Sequence, residues 1–153
     1  MKAKLVCCLL LCCFVLKAEK LSKEHEIVAK TLLGEARGEG RLGLYWVATV
    51  IFQRSINRKI TPAQVCKQDR QFSCWNKNDK NYKKLNSLIK THEHKDYAIF
   101  LAKNLHRLNR VYSKEADHYC TLRTKPYWAF DNKNKKWIKP VAIIGNHKFY
   151  KLR

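Results

Sequence analysis

"LLGEARGEGRLGLYWVATVIFQR", residues 32–54, sets two glutamates, Glu35 and Glu39, in a knot of glycines and then runs into an almost wholly apolar stretch. Upstream, Val28, Leu32 and Glu35 fall at i, i+4 and i+7, on one helical face. Glu35 therefore stands on the last turn of an apolar stripe. Ser22 suits the N-cap of that helix, with Glu24 and Glu26 in its first turn, where the helix dipole favours anions. Gly34, Gly38, Gly40 and Gly43 break the period and allow a tight corner. From about Leu42 to Ser55 a second helix is predicted, with almost no polar face before Gln53 and Arg54. A helix that is apolar all round is buried. This one is shorter than the ~20 residues a bilayer needs, so it is expected at the centre of the core.

The rest of the chain changes character partway. Thr61-Pro62-Ala63-Gln64 is a strong helix start, with Thr as cap, Pro at the first helical position and Gln three residues after the cap. "QFSCWN", residues 71–76, has no helical period and reads as loop or extended chain. Residues 79–89 read as a polar helix or irregular chain. Tyr97, Leu101, Leu105 and Leu108 predict an amphipathic helix from about His94 to Leu108. Beyond it, "ADHYCTLRTKPYWAF" and "WIKPVAIIGNHKFYKL" are rich in aromatic and β-branched residues, with the turn-type "DNKNKK" between them. They predict short strands of a small antiparallel sheet. Helices first and strands later give an α+β domain.

Length allows one domain, residues 19–153. Residues 1–18 read separately: Lys2 and Lys4 precede an apolar run, Leu5 to Leu16, and Ala18 offers a cut site. These are the marks of a secretory signal, or of an N-terminal anchor where it is not cut. The chain is therefore expected to be exported. Four of the seven cysteines lie in this leader, leaving Cys66, Cys74 and Cys120. Cys66–Cys74 is the candidate disulfide in an oxidising compartment, and three buried thiols are the alternative.

The 153-residue chain has a net charge of +20, with only 12 acidic residues. Such a charge favours anionic partners: wall polymers, a membrane surface or nucleic acid. Lysine supplies most of it, and neither an RNA-binding signature nor zinc-finger spacing is present. A specific nucleic-acid target is not expected. The charge reads as a helper rather than as the function.

The chemistry points to the glutamates. A carboxyl beside apolar surroundings keeps its proton more readily, because desolvation penalises the charged form. An uncharged carboxyl is what a general acid needs to protonate a glycosidic oxygen. Glu35 is thus the candidate acid, the alternative being an ion pair with Arg37 or Arg41. Glu39 is equally well placed to cap the second helix. Exposed aromatics are the usual platform for sugars, and Phe72, Trp75, Tyr119, Tyr127 and Trp128 are candidates. Trp75, in a polar loop, is expected to be the most accessible.

"TLLGEARGEGRLGLYWVATVIFQR", "VCKQDRQFSCWN", "ADHYCTLRTKPYWA" and "IIGNHKFYK" occur in that order. On these motifs the chain resembles the cell wall hydrolase family of the spore cortex-lytic enzymes, over about Ile27 to Tyr150. No separate wall-binding repeat accompanies the motifs, which leaves the positive charge as a substitute for targeting. The resemblance implies a lysozyme-like domain, a helical core with a small C-terminal sheet, acting as a lytic transglycosylase on peptidoglycan glycan strands. It implies Glu35 as the acid–base residue and Glu39 in support. Gln71, Phe72, Ser73, Trp75, His118, Tyr119, Trp128, Asn146 and His147 are the expected substrate contacts. No cofactor and no metal are expected, and the chain is expected to act as a monomer.

Three rivals are kept. A metal-dependent amidase would draw its ligands from His118, Cys120 and His147, although no H-E-x-x-H signature is present. A cysteine nucleophile would be Cys74 with a histidine partner. A non-enzymatic cationic wall-binding protein would bind in a salt-dependent way that ignores Glu35.

Overall fold

A computed structural model describes residues 20–152. The expected leader at residues 1–18 lies outside them. The fold is α+β, with helices in the first two thirds and small antiparallel sheets at the C-terminal end. Helix α1, Lys23–Ala36, starts where Ser22 accepts a hydrogen bond from the His25 N–H at 3.2 Å. A 3₁₀ turn, Arg37–Glu39, links it to α2, Gly40–Arg58. The turn works because Gly40 takes a φ of +65°, which side chains disfavour. Leu44, Val47, Ala48, Val50 and Ile51 of α2 are fully buried. The centre is shared, however: α1 is packed by α2, by α3 (Pro62–Lys67), by α4 (Leu85–Thr91) and by α5 (Lys95–Lys103). The first helix is as much the core as the second.

Helix α3 has the predicted capping box, Thr61 and Gln64 exchanging hydrogen bonds at 2.8 and 3.2 Å. The "QFSCWN" loop contains a 3₁₀ turn, Ser73–Trp75. The helix expected to reach Leu108 stops at Lys103. Asn104 ends it by turning its side-chain amide onto the Phe100 carbonyl at 2.9 Å, offering the backbone a local alternative to the helix. A separate 3₁₀ turn, Leu105–Arg107, follows.

In the C-terminal third, β1 (His118–Thr121), β4 (Ala142–Ile144) and β5 (His147–Tyr150) form an antiparallel sheet in the order β1-β5-β4. β2 (Phe130–Asp131) and β3 (Lys136–Trp137) form a separate hairpin. Its turn is the "DNKNKK" stretch. Asp131 accepts hydrogen bonds from the Lys133 and Asn134 N–H groups, both at 3.0 Å. In the larger sheet Tyr119 pairs with Phe149 and His118 with Tyr150. Alternation then puts Tyr119, His147 and Phe149 on one face and His118, Cys120, Lys148 and Tyr150 on the other. The first face packs on α2, Phe149 lying 5.0 Å from the Trp46 ring between centroids. Among the described residues no helix is long and apolar enough to cross a membrane.

Candidate active site

Glu35 is one residue from the end of α1, where the apolar stripe delivers it to the edge of the core. Each carboxylate oxygen accepts one hydrogen bond from a distant segment. The Cys74 backbone N–H donates to Oε1 at 2.9 Å, and the Tyr119 hydroxyl donates to Oε2 at 2.9 Å. The first donor arrives because the 71–76 loop lies directly on α1: a Cβ at Gly34 would collide with Cys74. The second arrives from the inner face of β1. Burial raises the Tyr119 phenol well above its ordinary range, and the negative charge of Glu35 and their hydrogen bond raise it further. Tyr119 therefore keeps its proton and donates a hydrogen bond to Glu35.

Glu39 occupies the 3₁₀ turn after α1. Although it stands at the N-cap position of α2, its side chain caps nothing there. It reaches instead to the β4–β5 turn. The Asn146 backbone N–H donates to Oε2 at 2.8 Å, and the Asn146 amide lies 3.5 Å from Oε1. Gly145, at the first position of this two-residue turn, has a φ of +53°, and a Cβ there would land on the Glu39 carboxylate. Glycine meets both demands at once.

The arginine pairing considered for Glu35 is replaced by other contacts. Arg37 donates to the Leu33 and Gly34 carbonyls and to Asn81, and Arg41 lies 4.2 Å over the Tyr97 ring. Among the described residues, no cation forms an ion pair with Glu35 or Glu39.

His147 is the other polar group of this region. It is buried at 7% exposure, edge-on to Tyr119 at 5.2 Å, and its Nδ1 has no partner. Burial holds its imidazole below the ordinary value, while the charges of Glu39 and Glu35 pull the other way. A cleft of about 630 Å³ lined by Thr121, Leu122, Arg123 and Asn146 opens beside this group. A smaller cavity of about 290 Å³, lined in part by Glu24, His25 and Val28, sits at the opposite end of α1 and touches neither Glu35 nor Glu39.

Several expected contacts are placed elsewhere. Phe72 is 2% exposed and belongs to the core. Trp75 is not the accessible platform expected of it: its indole N–H donates to Thr31 Oγ1 at 2.9 Å, and Lys67 Nζ lies 3.6 Å over its ring. The Gln71 side chain accepts from Arg58 at 2.9 Å. Ser73 is exposed, and Tyr127 is 88% exposed. His118 and Trp128 pack with tilted rings 5.0 Å apart on the outer face of the sheet, with Trp128 also edge-on to Tyr150 at 5.3 Å.

The same alternation separates the amidase ligand set, since His118 and Cys120 point to one face and His147 to the other. Among the described residues, no three His, Cys, Asp or Glu side chains form a group that could hold a metal. The Cys66–Cys74 disulfide is absent. Both are free thiols buried against α1. Burial pushes Cys66 up to about 12, and pushes Cys74 up as well, with Glu35 adding to it. A nucleophilic thiol needs the reverse shift.

Two features had no signal in the sequence. The Cys74 contribution is a backbone N–H, which no residue type reveals. Arg54, read as the polar end of α2, is 6% exposed and donates from Nε to the Asp117 carbonyl at 2.6 Å, tying α2 to the start of β1.

Comparison with known proteins agrees with the motifs. No curated protein and no solved structure gives a significant match. A family model described as cell wall hydrolase matches residues 38–150. The match begins just past Glu35, so it includes Glu39, Tyr119, Asn146 and His147, while the case for Glu35 stands on its geometry. With most of its length matched, from the second glutamate to the end of the last strand, this chain belongs to the cell wall hydrolase family, whose members degrade peptidoglycan.

Proposed function

We propose that the chain is a lytic transglycosylase that cuts the bond between N-acetylmuramic acid and N-acetylglucosamine, with Glu35 as its single acid–base group. The observation that carries this reading is the Glu35 carboxyl, presented at the core edge by α1 and met by one donor from the 71–76 loop and one from β1. In the reaction, protonated Glu35 gives its proton to the glycosidic oxygen as the C1–O bond breaks. The muramoyl 6-hydroxyl attacks C1 and returns its proton to Glu35, closing a 1,6-anhydro ring. Neither water nor a second nucleophilic carboxylate takes part. The two donors act where they matter, on the negative charge that appears on Glu35 once its proton has left. While Glu35 is protonated, the Tyr119 hydroxyl can turn to accept, since a phenol serves in both senses.

Glu39 is assigned a supporting role, anchoring the β4–β5 turn and thereby the Asn146 side of the cleft. Hydrolysis through both carboxylates is the second reading, and it is favoured by the fact that Glu39 is also ordered by two donors. The substrate lies outside the cytoplasm, which agrees with the exported reading of the sequence.

Mass spectrometry of purified peptidoglycan after digestion, with Glu35→Gln alongside, tests this. Anhydro-muropeptides that disappear in the variant are expected. Reducing-end sugars would mean hydrolysis and give Glu39 a catalytic role. Free peptides with intact glycan would overturn the Glu35 mechanism. Tight binding without any product would favour a wall-binding protein.

A further inference from the structure

The outer face of the three-stranded sheet takes no part in the proposed chemistry, and the C-terminal segment that builds it is strongly basic. Residues 123–152 hold eight lysines and arginines against one acid, Asp131. That acid is occupied in closing the β2–β3 hairpin turn.

Between the hairpin and the sheet lies a cleft of about 370 Å³, lined by residues including Pro126, Trp137 and Tyr150 with Lys125, Lys139 and Lys148. Its volume falls within the range of small-ligand sites. Trp137 is 49% exposed and propped edge-on by Phe130 at 5.2 Å, which fixes an open apolar wall. Lys148 is steered by its bond to the Thr124 carbonyl at 2.8 Å. Lys125 and Lys139 are exposed, and among the described residues their side chains make no hydrogen bond or ion pair. An apolar floor with three cations and no acid around it is complementary to a short, anionic, partly aliphatic chain.

We propose that this cleft binds the carboxylate-bearing peptide stems of peptidoglycan. The stems are the anionic component present wherever a cell wall hydrolase works, and lysines serve as point charges for single carboxylates. Because the cleft opens on the face opposite Tyr119 and Glu35, the stem it holds is not on the sugar being cut. It tethers the domain to the wall during turnover. This inference rests on the peptidoglycan reading of the active site, and the two fail separately.

The test uses the full chain in a Glu35→Gln background, so that turnover does not enter. Binding is measured by titration with a synthetic acidic stem tripeptide and by co-sedimentation with insoluble peptidoglycan, at two salt concentrations. Lys125→Gln with Lys139→Gln is expected to weaken tripeptide binding roughly 3- to 10-fold, as loss of two exposed ion pairs implies. The salt dependence should shrink with it, while Glu35-competent protein carrying the same changes cuts stem-free glycan at the original rate. Equal binding by the variant, or equal binding of a tripeptide with its carboxylates amidated, overturns the proposal. So does a cleft that takes only a phosphate polymer or RNA. Stem binding without any glycan cleavage by the unmodified chain would leave the cleft standing and overturn the active-site reading instead.

Discussion

The two faces of the small sheet carry nearly the same residue types and do different work. On the inner face, Tyr119, His147 and Phe149 pack on one another, Phe149 meets Trp46 of α2, and Tyr119 reaches Glu35. On the outer face, half-exposed His118 and Trp128 pack against each other and over a buried Tyr150, beside a rim of lysines. His118 and Tyr119 are neighbours in sequence, as are His147 and Lys148, yet each pair is divided between the faces. The surroundings of each side chain are assigned here by strand alternation and by burial, not by residue type. An aromatic or a histidine gains a role when the pleat turns it toward a carboxylate and away from water.

That contrast can be broken most directly at Glu35. Glu35→Gln is expected to cut turnover by about 10²- to 10⁴-fold with little change in melting temperature, measured by product analysis and thermal denaturation. Tyr119→Phe keeps the ring and removes one donor to a charged group. Turnover should fall roughly 10- to 100-fold, with substrate binding largely retained. Gly145→Ala places a methyl on the Glu39 carboxylate in a left-handed turn. A loss of about 1–3 kcal/mol in stability is expected, with weakened activity from a displaced Asn146.

His147 sharpens the comparison through pH. Its folded-state value lies below the ordinary 6.5, so the unfolded chain takes up a proton that the folded chain resists. Its contribution to stability is complete above pH 6.5 and is lost as pH falls from there through the lower folded value. His147→Gln should flatten the melting temperature over that window. On the outer face, His118→Ala is expected to leave turnover within about twofold. There the visible effect should be on acid stability. Burial works to raise Asp117, but hydrogen bonds from His118 and the Leu152 N–H outweigh it and leave the group lowered from 3.8. Its stabilising effect is present above pH 3.8 and lost as pH falls through the folded value, and removing His118 should move that loss to higher pH.

Much of the fold was legible because its signals are local. Ser22 and the Thr61–Gln64 box announce helix starts through hydrogen bonds that span three residues. Asp131 and the asparagines after it close a turn in the same way. The apolar run of α2 requires burial wherever it lies. The stripe ending at Glu35 placed that carboxyl at the core edge before any partner was known. Other features defied local reading. The sequence carries the helical period on to Leu108, but Asn104 competes for the backbone and stops it. Trp75 sits in a polar loop, yet the packing of that loop on Gly34 turns its indole inward to Thr31.

What the sequence by itself determined is the order of the elements, their caps and turns, the apolar core and the two glutamates at its edge, because periodicity, capping and burial act over a few residues or on composition. What only the tertiary structure decided is which side chains meet. The register of β1 on β5 joins segments nearly thirty residues apart, and shifting it by one residue would exchange the two faces. That long-range pairing gives Glu35 the Tyr119 hydroxyl, separates His118 from His147 and leaves Lys148 on the outer face. The energy that selects it comes from burying Phe149 and Tyr119 against α2 and α1, surfaces created elsewhere in the chain.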